Sequence, residues 1–194
     1  MEHPRRFQVE PPRRVLVVGN RGSGRGRIAR LISQRFSLPV IDIEREQGAF
    51  EGAGDPSAWR QRVRSLAEGS EWVMTGNDIA TFDLRVPRAD WFIWVDLPVT
   101  SCALAVLRRA IRSPSRDKAS LSLVQRLSLP RFRDILNFSG EVAPRIMGAI
   151  ERERRNRTIF ILRTRYEIAQ FLARLPDTGG FGDHMAKGGD KPSS

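Results

Sequence analysis

Apolar residues gather in five short blocks separated by longer stretches with helical spacing. The blocks are Arg13 to Val18 (RRVLVV), Leu38 to Ile43 (LPVIDI), Glu71 to Thr75 (EWVMT), Asp90 to Leu97 (DWFIWVDL) and Thr158 to Leu162 (TIFIL). Near-continuous runs of this kind belong to strands covered on both faces, whereas half-exposed strands alternate. Between them, Ile28, Ala29, Leu31, Ile32 and Phe36 recur on one helix face, a second helix starts near Pro56, and a third opens at Pro98. That third helix carries Cys102, Leu104, Val106, Leu107 and Ile111. Leu121 to Glu153 has a helical pattern broken near Ser139-Gly140 and Pro144, and Arg165 to Leu175 forms a closing helix. The alternation predicts an α/β fold with a five-stranded parallel sheet, because right-handed crossovers place helices on both faces. Ligands in such sheets bind at the carboxyl ends of the strands. Gly19 to Gly26, Asp42 and Glu44, Thr75 to Asp78, and Asp96 all fall there.

A chain of 194 residues with 40% hydrophobic content can bury one sizeable core. We expect a flexible arm over 1–12, one domain over 13–176, and a disordered tail over 177–194, whose Gly, Asp, Lys and Ser residues bury too little apolar area to offset ordering entropy. Ser113 to Lys118 breaks the helical pattern as a mobile surface loop would. Cys102 is the single cysteine, which excludes an intrachain disulfide and fits a reducing cytoplasm. The first twelve residues contain no apolar core of signal-peptide length, and Trp91 to Leu107 is interrupted by Asp96 and Pro98, so the expectation is a soluble protein without a membrane span.

Formal net charge is +11, nearly all of it arginine, with lysine only at 118, 187 and 191. The balance favours anionic partners, and arginine suits bidentate phosphate contacts. The same excess also fits a G/C-rich coding sequence. His3 and His184 lie in the two ends and no zinc spacing exists, so no metal ligand set is read from the chain. Cys102 and three of the four tryptophans, Trp72, Trp91 and Trp94, read as core.

The segment Gly19-Asn20-Arg21-Gly22-Ser23-Gly24-Arg25-Gly26 has the G-x-x-x-x-G spacing of a phosphate loop, followed by Arg-Gly where Lys-Ser/Thr is usual. Backbone N–H groups of such a loop, with the first turn of the helix beginning near Arg25, suit a polyphosphate. Gly24 to Ala29 also fits the dinucleotide pattern G-x-G-x-x-G/A, with Asp42 at the distance expected for a ribose contact. That fingerprint should begin at the strand end, yet four residues separate Gly19 from Gly24.

Arg13 to Pro176 resembles the adenylate-kinase-like P-loop kinases, in particular the small bacterial topology-modulation or adenylate-kinase-related subgroup. The resemblance is carried by WVMTGNDIATFDLRVPRADWFIWVDLP (Trp72 to Pro98) and by RVLVVGNRGSGRGRIARLISQRFSLPVIDIE (Arg14 to Glu44). It implies a three-layer P-loop NTPase fold with a small helical lid at about 112–128. Gly19, Asn20, Arg21, Gly22, Ser23, Gly24, Arg25, Gly26 and Arg27 would hold the phosphates of ATP or GTP. Glu44, Asn77 and Arg85 would face a small phosphate acceptor, and Arg25, Arg108 and Arg112, with Arg109 beside them, would neutralise charge during phosphoryl transfer.

The chain departs from that pattern where a metal is usually held. Arg25 replaces the loop lysine, Gly26 removes a hydroxyl that would ligate Mg²⁺, and Thr75 stands where the subgroup has an aspartate. Losing hydroxyl and carboxylate together predicts a metal held weakly or not at all, and reduced or absent turnover; Asp78 or Asp96 are the available substitutes. The second reading is a binding module. It would be either a nucleotide-sensing pseudokinase or an arginine-rich protein touching nucleic acid without sequence preference through Arg145, Arg152, Arg154, Arg155 and Arg157.

Overall fold

The computed structural model describes residues 10–50, 54–112, 129–155 and 157–175, with backbone only at 110, 112 and 129–132. The expected lid over 112–128, apart from the backbone of Arg112, the tail over 177–194 and most of the N-terminal arm lie outside those residues.

The strands are β1 (Arg14–Gly19), β2 (Val40–Asp42), β3 (Trp72–Thr75), β4 (Trp91–Val95) and β5 (Thr158–Leu162). They form one parallel sheet in the order β2-β3-β1-β4-β5, with Val17 opposite both Thr75 and Ile93. Because β3 is inserted between β1 and β2, the sheet does not have the dinucleotide-binding order, in which the first two strands are neighbours.

Alternate residues of each strand feed two separate cores, which is why the strands read as unbroken apolar runs. Leu16, Val18, Met74 and Trp94 pack against α3 (Pro56–Ala67) and α7 (Ala143–Glu153) through Trp59, Val63, Ile146 and Ile150. Val15, Val17, Val73 and Ile93 pack on the opposite face against Ile28, Ala29 and Ile32 of α1 (Arg25–Phe36) and Phe171 of α8 (Arg165–Arg174). The result is three layers, helix on sheet on helix. Cys102 is fully buried in the second core, on α5 (Val99–Arg112). Among the described residues, no helix is long and apolar enough to cross a membrane.

Two stretches take forms that the hydrophobic pattern does not specify. The polar segment after β2 is helical at once, as α2 (Ile43–Ala49), because the Asp42 carboxylate accepts from the amides of Glu44 and Arg45 at 3.1 and 3.3 Å. Asp42 is thereby a helix cap. The break expected near Ser139-Gly140 is a π-helical turn, Phe138–Val142, between α6 (Leu129–Asn137) and α7. Such turns widen the ladder locally and recur at functional sites.

Candidate functional site

Between β1 and α1 the chain makes a turn that only glycine can make at two places. Gly19 has φ +152°, and a Cβ there would lie 2.5 Å from the carbonyl oxygen of Val95. Gly22 has φ +89°, and its Cβ would meet the Cys102 carbonyl oxygen at 2.3 Å. The loop therefore lies directly on β4 and α5. The Ser23 amide closes it by donating to Asn20 O at 3.1 Å. The amides of Gly22, Gly24, Arg25 and Gly26 have no acceptor among the described residues, as expected of donors at a helix start. With the parallel sheet and its strand order, this loop makes the fold that of a P-loop NTPase.

The residues around the loop hold one another. Asn77, just past β3, accepts from Gly19 N at 3.1 Å and donates to Gly19 O at 2.8 Å. Its carboxamide thus extends the ladder by one side chain. Arg25 turns back across the loop, donating to Gly19 O at 2.7 Å and to the Glu44 carboxylate. Arg21 approaches the other oxygen of Glu44 at 3.9 Å. Glu44 consequently carries two guanidinium partners, and Asn20, Arg21, Arg25, Glu44 and Asn77 line a cavity of about 810 Å³.

The remaining expected residues are distributed differently. Arg85, of α4 (Phe82–Arg85), is fully buried and does not line the cavity. Its guanidinium donates to Thr81 Oγ1 at 3.1 Å, Gly76 O at 3.1 Å and Asp78 O at 2.5 Å, and stacks on Phe82 at 5.0 Å. Burial pulls its pKa down to about 10, which still leaves it charged at neutral pH. Arg27 is exposed on α1, and Arg108 and Arg109 are exposed on α5 away from the cavity wall. The Arg112 side chain lies outside the described set. Of the basic run, Arg145, Arg152, Arg154 and Arg155 include no member of the cavity wall, and Arg157 bonds to Pro87 O and pairs with Glu153.

The two carboxylates that the sequence offers as substitutes for the missing metal ligands are engaged elsewhere. Asp78 accepts from Trp59 Nε1 at 2.8 Å, Ala80 N at 3.2 Å and Thr81 Oγ1 at 3.0 Å. Asp96 faces Arg163 at 3.8 Å, and partial burial raises its pKa. Thr75 offers only a buried hydroxyl without a partner, and a Cβ at Gly26 would meet nothing closer than Arg30 Nη1 at 4.0 Å. Among the described residues no three His, Cys, Asp or Glu side chains converge. At the two positions where the resemblance implies Mg²⁺ ligands, Gly26 offers no hydroxyl and Thr75 no carboxylate.

Sequence reasoning missed the wall that faces the loop. Arg133, Asp134 and Asn137 of α6, with Phe138, Glu141 and Val142 of the π turn, complete the cavity. Asn137 Nδ2 donates to Glu141 Oε1 at 3.3 Å, and Asn20 Nδ2 donates to Ile135 O at 3.0 Å, joining wall to loop. The single trace in the sequence is the interrupted helical pattern at Ser139-Gly140.

No family model matches the chain, and no curated protein matches it. Among solved structures it is similar to the shikimate kinase from Acinetobacter baumannii in complex with shikimate, at 18% identity and TM-score 0.48, over 82% of this chain and 88% of that one. A shikimate kinase from Bacteroides thetaiotaomicron matches at 15% identity and TM-score 0.45, over 84% and 95%. The deoxyadenosine kinase from M. mycoides with bound dCTP matches at 8% identity and TM-score 0.39, over 81% and 94%.

Proposed function

We propose that this chain is a nucleotide-binding P-loop protein of the kinase type, taking ATP or GTP at the glycine loop, with phosphoryl transfer to a small acceptor weakened or lost. The observation that carries the reading is the run of unengaged amides at Gly22, Gly24, Arg25 and Gly26, beside the guanidinium groups of Arg21 and Arg25. Backbone donors and fixed positive charge at a helix start suit a polyphosphate. Arg25 and Arg21 supply neutralising charge, and Asn77 holds Gly19 so that the loop keeps its open shape.

Nucleotide binding in this reading does not depend on magnesium. Position 26 of the loop has no hydroxyl, position 75 no carboxylate, and Asp78 and Asp96 are engaged elsewhere, so arginine takes over part of the ion's electrostatic work. Loss of one comparable electrostatic stabiliser lowers rates by about 10²- to 10³-fold. A nucleotide-sensing role without turnover is the second reading, favoured by the engagement of Arg25 with Glu44 rather than with open space. The lone buried thiol of Cys102 supports a cytoplasmic setting.

Thermal stabilisation by ATP and GTP, with and without Mg²⁺, tests the proposal. Stabilisation of similar size in both conditions is expected. A protein that melts at one temperature whatever nucleotide is added sinks it. Release of phosphate with a panel of acceptors then separates a working kinase from a sensor.

A further inference from the structure

We infer that the compartment between the glycine loop and the π-helical wall takes a small polyol, uncharged or amino-substituted, and not a nucleoside monophosphate or a nucleoside. The inference rests on the nucleotide reading above for what occupies the loop, and concerns only the space beside it.

Charge decides against a second phosphate. A phosphomonoester needs guanidinium groups with free donors. Arg85, the arginine expected to receive it, is fully buried, with all three of its nitrogens bonded to Thr81, Gly76 and Asp78. Arg21 and Arg25 belong to the loop side, where Glu44 pairs with both. Among the described residues the facing wall carries one guanidinium, Arg133, and two carboxylates, Asp134 and Glu141. Summed over those described residues the wall is net negative, so a dianion entering there meets repulsion across a short distance.

Shape decides against a nucleobase. A base is held best by stacking on an exposed aromatic face. Among the described residues the cavity has one aromatic, Phe138, which is only 5% exposed, and with it the half-buried Val142. Its other lining side chains are polar or charged, on both the loop side and the wall.

The hydrogen-bonding inventory fits hydroxyl groups. Glu141 receives one bond from Asn137 and keeps further lone pairs, and Asp134 is exposed with no partner among the described residues. Carboxylates only accept, so their complement is a donor such as a hydroxyl or an ammonium group. Asn137 and Arg133 supply donors for the oxygens of the same ligand. Arg133, Asn137 and Glu141 are spaced four apart, which places them along one helix face with the π turn opening the last step.

The test titrates the full chain, first saturated with a non-hydrolysable ATP analogue, with myo-inositol, ribose, glucosamine, adenosine and AMP, by calorimetry and thermal shift. Binding of at least one of the first three, with adenosine and AMP inert, is expected. Glu141→Gln and Asp134→Asn should each weaken that polyol by about tenfold while leaving affinity for the ATP analogue unchanged. Glu141→Lys should admit AMP. The inference is overturned if AMP or adenosine binds the saturated native protein, if no polyol binds while the analogue does, or if the two neutralised variants bind polyol like the native chain. If polyols bind and the ATP analogue does not, the nucleotide reading fails and the polyol site stands.

Discussion

The carboxamide of Asn20 donates to the main-chain oxygen of Ile135 at 3.0 Å, spanning 115 residues of sequence. Asn20 is the second residue of the glycine loop, and Ile135 lies near the end of α6, three residues before the π turn. Both are buried. Where a helix changes from one ladder period to another, a carbonyl can be presented outward, and here it is taken by a side chain from the loop. The two walls of the cavity are thus fixed relative to each other by one buried hydrogen bond.

Asn20→Ala removes the donor and leaves Ile135 O in a dry environment. The expected loss is about 1–3 kcal/mol by chemical denaturation, which lowers the melting temperature by about 2–4 °C for each kcal/mol. Asn20→Asp should be worse, because a carboxylate there faces a carbonyl oxygen. Equal stability of all three proteins would show that the loop and the wall are not joined through this contact.

Sheet and loop were legible because the features that build them are also visible in one dimension. Val15 to Val18 alternate between two covered faces, so every position is apolar, and Gly19 and Gly22 are glycines because β4 and α5 leave no room for a Cβ. The facing wall was not legible. Arg133, Asn137 and Glu141 have the spacing and polarity of any solvated helix face, and a π turn depends on carbonyl partners rather than on a residue signature. Arg85 misled for a similar reason. In Phe82-Asp83-Leu84-Arg85 nothing distinguishes a buried arginine from an exposed one, since its partners Gly76 O and Asp78 O are backbone atoms.

Arg85→Lys keeps the charge but cannot serve three acceptors lying in different directions. With Gly76 O or Asp78 O left unsatisfied, a loss of about 2–4 kcal/mol is expected, together with weaker nucleotide binding, because Gly76 and Asp78 flank Asn77. The native residue also carries a pH signature. Burial lowers its folded pKa to about 10, so the penalty for holding the charge is full below pH 10 and is relieved as pH rises from there toward the ordinary guanidinium value. Stability measured relative to Arg85→Met should accordingly rise across that window; a flat or falling difference contradicts the assignment.

Glu44→Gln releases Arg25 from its carboxylate while keeping a hydrogen-bonding oxygen in place. Because Glu44 is more than a third exposed, the pair is screened and worth about 1 kcal/mol or less. Metal-free ATP should then bind up to about fivefold more tightly. Weaker binding instead would mean that Glu44 contacts the ligand or holds Arg25 in its productive position.

Restoring the metal site is a stronger intervention. Gly26→Ser fits the open space beside Gly26, and Thr75→Asp puts a carboxylate where a hydroxyl already lacks a partner. The triple variant Arg25→Lys, Gly26→Ser, Thr75→Asp should melt lower than the native chain without metal, because the carboxylate introduced in place of Thr75 is a buried charge. It should recover with Mg²⁺ and ATP, and phosphate release should rise by about tenfold or more. Unchanged turnover in a variant that does bind Mg²⁺ would count against the missing-metal explanation.

The loop glycines should separate by mechanism when each is replaced with alanine. At Gly22 the new methyl meets backbone, the Cys102 carbonyl at 2.3 Å, and φ is +89°. The α5 backbone cannot yield, so Gly22→Ala should abolish nucleotide binding and destabilise the chain by about 3 kcal/mol or more. Gly24 has a similar φ of +92° but nothing within 4 Å. Gly24→Ala therefore costs only the left-handed conformation, about 1–2 kcal/mol. Gly26 is in the first turn of α1 with space around it, and alanine there should be neutral or stabilising by up to about 1 kcal/mol. Measured denaturation midpoints should fall in the order Gly26→Ala, Gly24→Ala, Gly22→Ala. A Gly22→Ala protein as stable as Gly26→Ala would mean that the loop does not rest on α5, and the cradle argued for the phosphates would lose its support.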